Sequence, residues 1–517
     1  MTENGSTQSR RIVIIGGGIT GLAAAHWLFE LQPQADRKPD VVLLEAGPRL
    51  GGVLKTTQRD GFLIESGADS FISEKPEAIE LAKRLGLGSR LIETNERHRR
   101  SFIVRRGRLL PVPEGFQLMA PARVWPFIAS NIFSWPGKAR MALDLFIPRR
   151  QMHNGDDDES LAQFVRRRLG REAFERMAQP MIGGIYTADP EKLSLRATLP
   201  RFLEMEREHG SVIRAMWKQR RSPTRSPQPG SPAGVGAVRE GSVANPVGDG
   251  QANPNTGVSG ARYSLFLSFD QGMQVLVDEL AAHIPQGVVR LNTGATSLTF
   301  DRSMAQWQIR LSNNDSITAD AVCLAVPSYT AAALLRETDD ELSAALDRIP
   351  YTSTATINLG FRRADVRHAL DGFGFVVPFI EKRSLLACTF SSVKFAGRAP
   401  ADHVLLRAFV GGALQPELFE LDEDEMIRRV RADLGDLLGI DQPPLFTAVE
   451  KWRRSMPQYH VGHLTLIAEI QTRAQTHSGL HLCGNAYGGA GVPDCIRSAE
   501  AAANQIVLAL PAFGGND

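Results

Sequence analysis

Cysteine is scarce, with four residues, Cys323, Cys388, Cys483 and Cys495, and no Cys-x-x-Cys pair among them. That spacing argues against structural zinc, and it suits a reducing compartment in which the four are small buried hydrophobes. Long hydrophobic runs are missing too. No uninterrupted apolar stretch approaches the length that spans a bilayer. The polar first ten residues, followed by only four apolar ones at 12–15, give no signal-peptide core. Neither sign of charge is in excess, and a net charge of +2 gives no reason to expect a nucleic acid partner. The expectation is a cytoplasmic protein, at most peripheral on the inner face of the cytoplasmic membrane. At 517 residues and 43% hydrophobic, it has material for two or three domains.

What the chain does have is an ordered set of signals near its start. Residues 12–15 are apolar, 16–21 read Gly-Gly-Gly-Ile-Thr-Gly, and apolar residues resume at 22–28. This is strand, glycine turn, helix. A second apolar run at 41–44 ends on Glu45. The unit is the dinucleotide-binding one. Gly16 permits the tight turn, Gly17 and Gly18 let a pyrophosphate approach the backbone, and Gly21 lets helix and strand pack closely. Ile19 and Thr20 open a helix whose N–H groups face the phosphates. A carboxylate at Glu45 accepts ribose hydroxyls and repels a 2′-phosphate, so FAD or NAD is expected and NADP is not. Just past it, EAGPRLGGVLKT supplies Ala46, Arg49, Gly51, Gly52 and Lys55. Here the chain resembles the flavin-containing amine oxidase superfamily, which continues the fingerprint in this way around the FAD pyrophosphate.

Further on, GFLIESGADSF leads to Gly67, Ala68, Asp69 and Ser70. Small residues let this backbone lie against a flat ring, and Asp69 or Ser70 is suited to capping the following helix; the resemblance implies that the turn sits beside the isoalloxazine. Residues 76–88 form an amphipathic helix by their spacing. A basic cluster at 97–108 reads either as a solvated face or as a grip on a carboxylate. Between 114 and 214 the chain is helix-rich, with Trp125, Phe127, Phe133, Trp135 and Phe146 among prolines and arginines. It reads equally as a helical cap over a cavity or as a face resting on a membrane surface. Its last part, 180–214, reads as a glycine pair, a turn and a long helix. Residues 219–262, rich in Gly, Pro, Ser and Asn, are expected to be a disordered insertion. Strands are expected at 288–291, 295–300 and 306–311 in a small sheet, at 321–327 in the parallel sheet, and at 354–361, 374–378, 385–390 and 404–410 in a second, mostly antiparallel sheet. Residues 452–463 are expected to be a loop, whose His460 and His463 are structural. The closing GNAYGGAGVPD is a glycine-rich turn opening a last helix, and Cys495 on that helix is not a covalent flavin link.

The 180–214 block, the GADSF turn and the closing motif together resemble the protoporphyrinogen oxidase family. That resemblance implies an α/β fold with a Rossmann-like FAD-binding domain of the amine-oxidase (GR2) type (10–95, 263–330 and 445–512), a substrate-binding α+β sheet domain (96–113 and 331–444), and a helical subdomain (114–218). It implies non-covalent FAD held also by the backbone at Ala295 and by Asn485, Ala490, Gly491 and Val492. The tetrapyrrole would lie between Gly184 and Val376, Thr389 and Phe409. The activity implied is oxidation of a porphyrinogen to a porphyrin, six electrons in three steps, with O2 reoxidising the flavin and no side-chain acid or base. Many members grip the substrate with an arginine where this chain has Ser101, flanked by Arg100. Others, acting on coproporphyrinogen III, use a lysine matching Lys75. An amine oxidase, a carotenoid-type desaturase and a non-enzymatic FAD-binding protein are the alternatives, and a homodimer is compatible with all of these.

Overall fold

A computed structural model describes residues 10–31, 40–117, 120–150, 158–221 and 266–509. The expected disordered insertion falls almost wholly outside them; only its first residues are described, ending the helix Val212–Arg221.

The apolar runs at 12–15, 41–44 and 321–324 become neighbouring strands of a five-stranded sheet. Its order is Val289–Arg290, Asp40–Leu44, Arg11–Ile15, Ala321–Leu324, Leu480–Leu482, and every pairing is parallel. Both faces are buried, which is why the strands are apolar without alternation. Ile12, Ile14, Val41 and Leu43 pack with the helices Ile19–Glu30, Gln274–His283 and Val492–Ala509. Val13, Ile15, Val42 and Leu44 pack with a three-stranded sheet. The order turns back at Arg11–Ile15, so the Gly16 turn lies at the switch point where such sheets bind ligands. One expected pairing is corrected. Val289 and Arg290 pair with Leu43 and Leu44 in the parallel sheet, and the small sheet takes its third strand from Ser316–Ala319. Two residues carry too little alternation to choose a sheet, so backbone bonds to the edge of Asp40–Leu44 decide.

The second sheet has seven strands in the order Phe446–Pro457, Tyr351–Arg362, His403–Gly411, Ala387–Phe390, Gly374–Val376, Phe102–Arg105, Arg108–Pro111. It is antiparallel except where Gly374–Val376 meets Phe102–Arg105. One face, with Phe102, Phe375, Cys388, Ala408 and Ile357, closes on the helix Glu423–Leu438. The other face carries the row Ile103, Val376, Ala387, Phe409, Thr356, Glu450, set by register across six strands. The expected loop at 452–463 is corrected: its first half belongs to the edge strand Phe446–Pro457. An edge strand tolerates charge on its open side, so its sequence reads like a loop.

The helical region is likewise more broken than its sequence suggests. Gly210, at φ 68°, ends Pro200–His209, and a separate helix starts at Val212. Similarly the 76–88 helix stops at Arg84. Among the described residues no helix is long and apolar enough to cross a membrane.

Candidate cofactor and substrate site

Gly16 adopts φ 110°, and a Cβ on Gly21 would overlap its carbonyl oxygen. Gly18 differs: a Cβ there would meet nothing within 4 Å. The helix Ile19–Glu30 begins at Gly18 with no side-chain cap, so its first N–H groups point into that open space. Glu45 accepts from Gly17 N–H at 2.7 Å through one carboxylate oxygen and from Gly47 N–H at 2.7 Å through the other. Gly51 N–H donates to Gly17 O at 2.8 Å, and a Cβ on Gly52 would lie 3.3 Å from the Gly18 Cα. Arg49 folds back to donate to the carbonyls of Leu50, Leu54 and Gly52, bracing this turn. Thr293 N–H donates to Glu45 O, and Gly294 packs on Ala46, which brings the backbone before Ala295 alongside the acid.

The closing motif meets this turn from the far end of the chain. Val492–Ala509 packs along Ile19–Glu30, and the ideal Cβ of Gly484 lies 4.0 Å from Thr20 Oγ1. The Tyr459 hydroxyl donates to Asn485 O and accepts from Gly489 N–H at 3.0 Å, bridging the loop. His463 stacks on Tyr459 with ring centroids 4.1 Å apart; burial pushes its pKa down to about 4, so it is neutral near pH 7. The Cys495 thiol, buried one turn into the helix, is pushed up to about 11, chiefly by burial.

The third piece is the turn at 65–70. A Cβ on Gly67 would overlap Val53 O, so this backbone lies directly on the segment after Gly52. The expected helix cap is corrected: the next helix, Glu77–Arg84, starts at Pro76 without a side-chain cap. Asp69 instead meets Lys394 Nζ at 2.9 and 3.1 Å and accepts from Ser70 Oγ at 2.8 Å. Burial by itself would raise the Asp69 pKa, but Lys394 and Arg407 hold it well below the carboxylate range. The burial of Glu65, opposed by hydrogen bonds from Met273 N–H and Thr56 Oγ1, pushes its pKa up to about 7.

A sequence profile of flavin-containing amine oxidoreductases matches residues 19–507. The chain belongs to that family. It is 33% identical to the coproporphyrinogen III oxidase of Bacillus subtilis (strain 168), over 98% of this chain and 99% of that one. It is 36% identical to the coproporphyrinogen III oxidase of Propionibacterium freudenreichii subsp. freudenreichii, over 96% and 90%. The chloroplastic protoporphyrinogen oxidase 1 of Arabidopsis thaliana is 27% identical over 97% and 89%. A crystal structure of a candidate protoporphyrinogen oxidase from Exiguobacterium sp. 255-15 superposes with TM-score 0.80 at 29% identity, covering 97% of this chain and 99% of that one.

A flavin on a dinucleotide-binding fold is FAD, and the residues of this family member fit it. The absence of protein atoms around a Cβ at Gly18 leaves room for a pyrophosphate at the start of the helix Ile19–Glu30, and Glu45 keeps lone pairs for a ribose. Val376 and Phe409 lie in one row of the sheet, and Thr389 shares their face two residues along. The expected gap between Gly184 and Val376 is corrected: an ideal Cβ on Gly184 in the helix Gln179–Tyr186 would lie 3.4 Å from Val376 Cγ1 and 4.0 Å from Ala387 Cβ, ordinary contact distances, so this helix packs directly on that end of the row. The two expected anchors are half-exposed, but each has a carboxylate partner. Lys75 Nζ is 2.6 and 2.7 Å from the Asp494 oxygens, which also receive Arg497 at 2.5 Å. Arg100 pairs with Asp371 and donates to its carbonyl at 2.6 Å. Asp494, Tyr459, Lys394 and Arg407 were not singled out from the sequence. For Arg407 there is a signal, a lone charge inside the apolar strand His403–Gly411.

Proposed function

We propose that this chain oxidises coproporphyrinogen III to coproporphyrin III, with FAD held non-covalently and O2 as the final acceptor. The observation that carries this reading is the run Val376, Ala387, Phe409, Thr356 within that row, whose Thr356 bonds the 65–70 turn at Ser66 O. It makes a flat apolar wall beside the flavin turn. Bound FAD supplies the two-electron acceptor, so the protein needs only to orient a macrocycle and exclude water. The buried Cys495 thiol, its pKa pushed up to about 11, supports non-covalent FAD, and the stacking of His463 on Tyr459 supports a structural role for that histidine. Three relatives at 31–36% identity are named for the tetracarboxylate substrate, which supports four propionates over two. Lys75 and Arg100 would receive propionates on their exposed sides. The names of the plant relatives favour protoporphyrinogen IX as the second reading. We divide the chain into an FAD-binding domain of 10–95, 266–330 and 458–509, a substrate sheet domain of 96–113 and 331–457, and the helical subdomain of 114–218.

The test is an aerobic assay of purified, yellow protein with both porphyrinogens, following porphyrin fluorescence against an enzyme-free control. Faster oxidation of coproporphyrinogen III is expected. Preference for protoporphyrinogen IX selects the second reading, and no rate above the control overturns both.

Peripheral contact with a lipid surface belongs to the same proposal. Trp125, Trp135 and Phe146 are 80, 70 and 81% exposed on one stretch of the helical region, with Arg123, Arg140 and Arg149 nearby in sequence. That combination suits the interface of an anionic membrane. Flotation with anionic vesicles, lost on replacing the three aromatics by serine, is the expected result; equal flotation of the variant overturns it.

A further inference from the structure

The 65–70 turn is gripped by side chains from distant parts of the chain. Thr356 Oγ1 and Trp452 Nε1 each donate to Ser66 O at 2.8 Å, Asn358 Nδ2 donates to Glu65 O at 3.3 Å, and Ser268 Oγ donates to Asp69 O at 2.7 Å. Arg407 donates to Gly67 O. The charges here do not balance. Asp69 is one anion, paired with Lys394. Arg398 is buried on the carbonyls of Phe269 and Asp270. Burial pushes the Glu65 pKa up to about 7, which weakens it as a counter-charge.

Lys394, Arg398 and Arg407 therefore outnumber the carboxylates Asp69 and Glu65, and Arg407 is the one of the three on the wall face of the second sheet. It is 4% exposed, its Nε has no hydrogen-bond partner, and its Nη1 is 3.9 Å from Asp69 Oδ2, beyond hydrogen-bonding range. It lies between Thr389 and Asn358 on the substrate face of the sheet, 4.8 Å over the Phe409 ring. A buried guanidinium with an idle donor is stable only if something else supplies negative charge. On the reading above, each turnover step moves two electrons and one proton from the porphyrinogen to the bound flavin and releases one proton to water. Bound FAD would thus gain one negative charge, removed when its two electrons and one proton pass to O2, which takes the second proton from water to give H2O2.

We propose that Arg407 is a positioning residue that sets the reduction potential of the bound flavin, its charge, only partly offset by the Asp69 it shares with Lys394, favouring the reduced state. This rests on FAD lying against the 67–70 turn. The tests use the full chain loaded with FAD, with flavin absorbance for occupancy and dye equilibration for the midpoint potential. Arg407→Gln is expected to shift the reduction equilibrium at least tenfold toward the oxidised form, about 30 mV for two electrons. Arg407→Lys keeps the charge and should recover most of that shift. Asp69→Asn removes the opposing anion and should move the potential the other way. A holo Arg407→Gln protein whose equilibrium changes less than twofold overturns the inference. If Arg407→Gln does not fold, Asp69→Asn decides: a shift of less than twofold toward the reduced form overturns the proposal. Failure of the wild-type chain to bind FAD at all would instead overturn the cofactor placement.

Discussion

The two turns that frame the cofactor site are built in opposite ways. The 16–21 turn is fastened by its own neighbours: Gly16 and Gly21 in mutual contact, Glu45 on Gly17, and Gly51 on the Gly17 carbonyl. Its front is bare backbone. The 65–70 turn is fastened from outside, by Thr356, Asn358, Lys394, Arg407 and Trp452, all from 290 to 386 positions away for the bonds to Ser66 and Gly67. The difference follows from what each meets. Phosphates are held by N–H groups and a helix end, which local sequence alone supplies. A planar ring that must keep its place against a substrate wall needs the wall and the turn to be one rigid piece.

The largest expected effects come from breaking the first design. Gly21→Val would drive side-chain atoms into the Gly16 carbonyl, which is backbone and has nowhere to go. The expected outcome is protein without flavin, destabilised by about 3 kcal/mol or more, read from absorbance at the flavin band and from thermal melting. Gly18→Ala sharpens the comparison. Its Cβ meets no protein atom, so the apoprotein should melt as wild type while FAD affinity falls, because only the ligand occupies that space.

The second design should show itself in pH dependence. The Glu65 carboxyl is buried, which raises its folded pKa from 4.5 to about 7. The folded state therefore binds more protons than the unfolded one between those values, and stability falls as pH rises from about 4.5 through 7, then levels off. The full difference is of order 3 kcal/mol. Glu65→Gln holds the neutral form, with its amide able to serve Thr56 and its oxygen Met273. It should match wild type near pH 4.5, exceed it at pH 8, and flatten the slope in denaturant melts taken across pH.

At the closing motif the two designs meet, since Tyr459 comes from outside but grips backbone at both Asn485 and Gly489. Tyr459→Phe removes both bonds and should cost about 2 kcal/mol. Isothermal titration of apoprotein with FAD should show weaker binding.

This contrast also explains what could be read from the chain. Residues 11–45 announced their fold because strand, glycine turn, helix and second strand follow one another within the unit and pair with each other, and the apolar strands at 12–15, 41–44 and 321–324 need no alternation to be recognised. Val376 and Phe409 could be placed on strands, but their shared row depends on register across two pairings through Ala387, which no local pattern encodes. Val289 and Arg290, and the edge strand ending at Pro457, went elsewhere than expected because strand partners, not composition, assign them. Asp69 looked like a helix cap for the same reason: its partner, Lys394, is 325 positions away. Arg407 alone broke a local rule visibly, as a charge within an apolar strand.

The smallest effect tests how the outer grip distributes its work. Ser66 O receives two donors at 2.8 Å, Thr356 Oγ1 and Trp452 Nε1. Thr356→Val keeps the β-branched shape that suits the strand Tyr351–Arg362 and removes only the hydroxyl. The carbonyl keeps its tryptophan bond, so the expected cost is about 1 kcal/mol, with FAD content unchanged. Trp452→Phe should lose a similar bond plus some packing at the edge strand. The double variant leaves a buried carbonyl with no donor, and its cost should exceed the sum of the singles by about 1 kcal/mol or more. A double-mutant cycle from chemical denaturation measures that excess. If the two costs simply add, each donor acts on its own strand and the turn is not held as one unit with the wall.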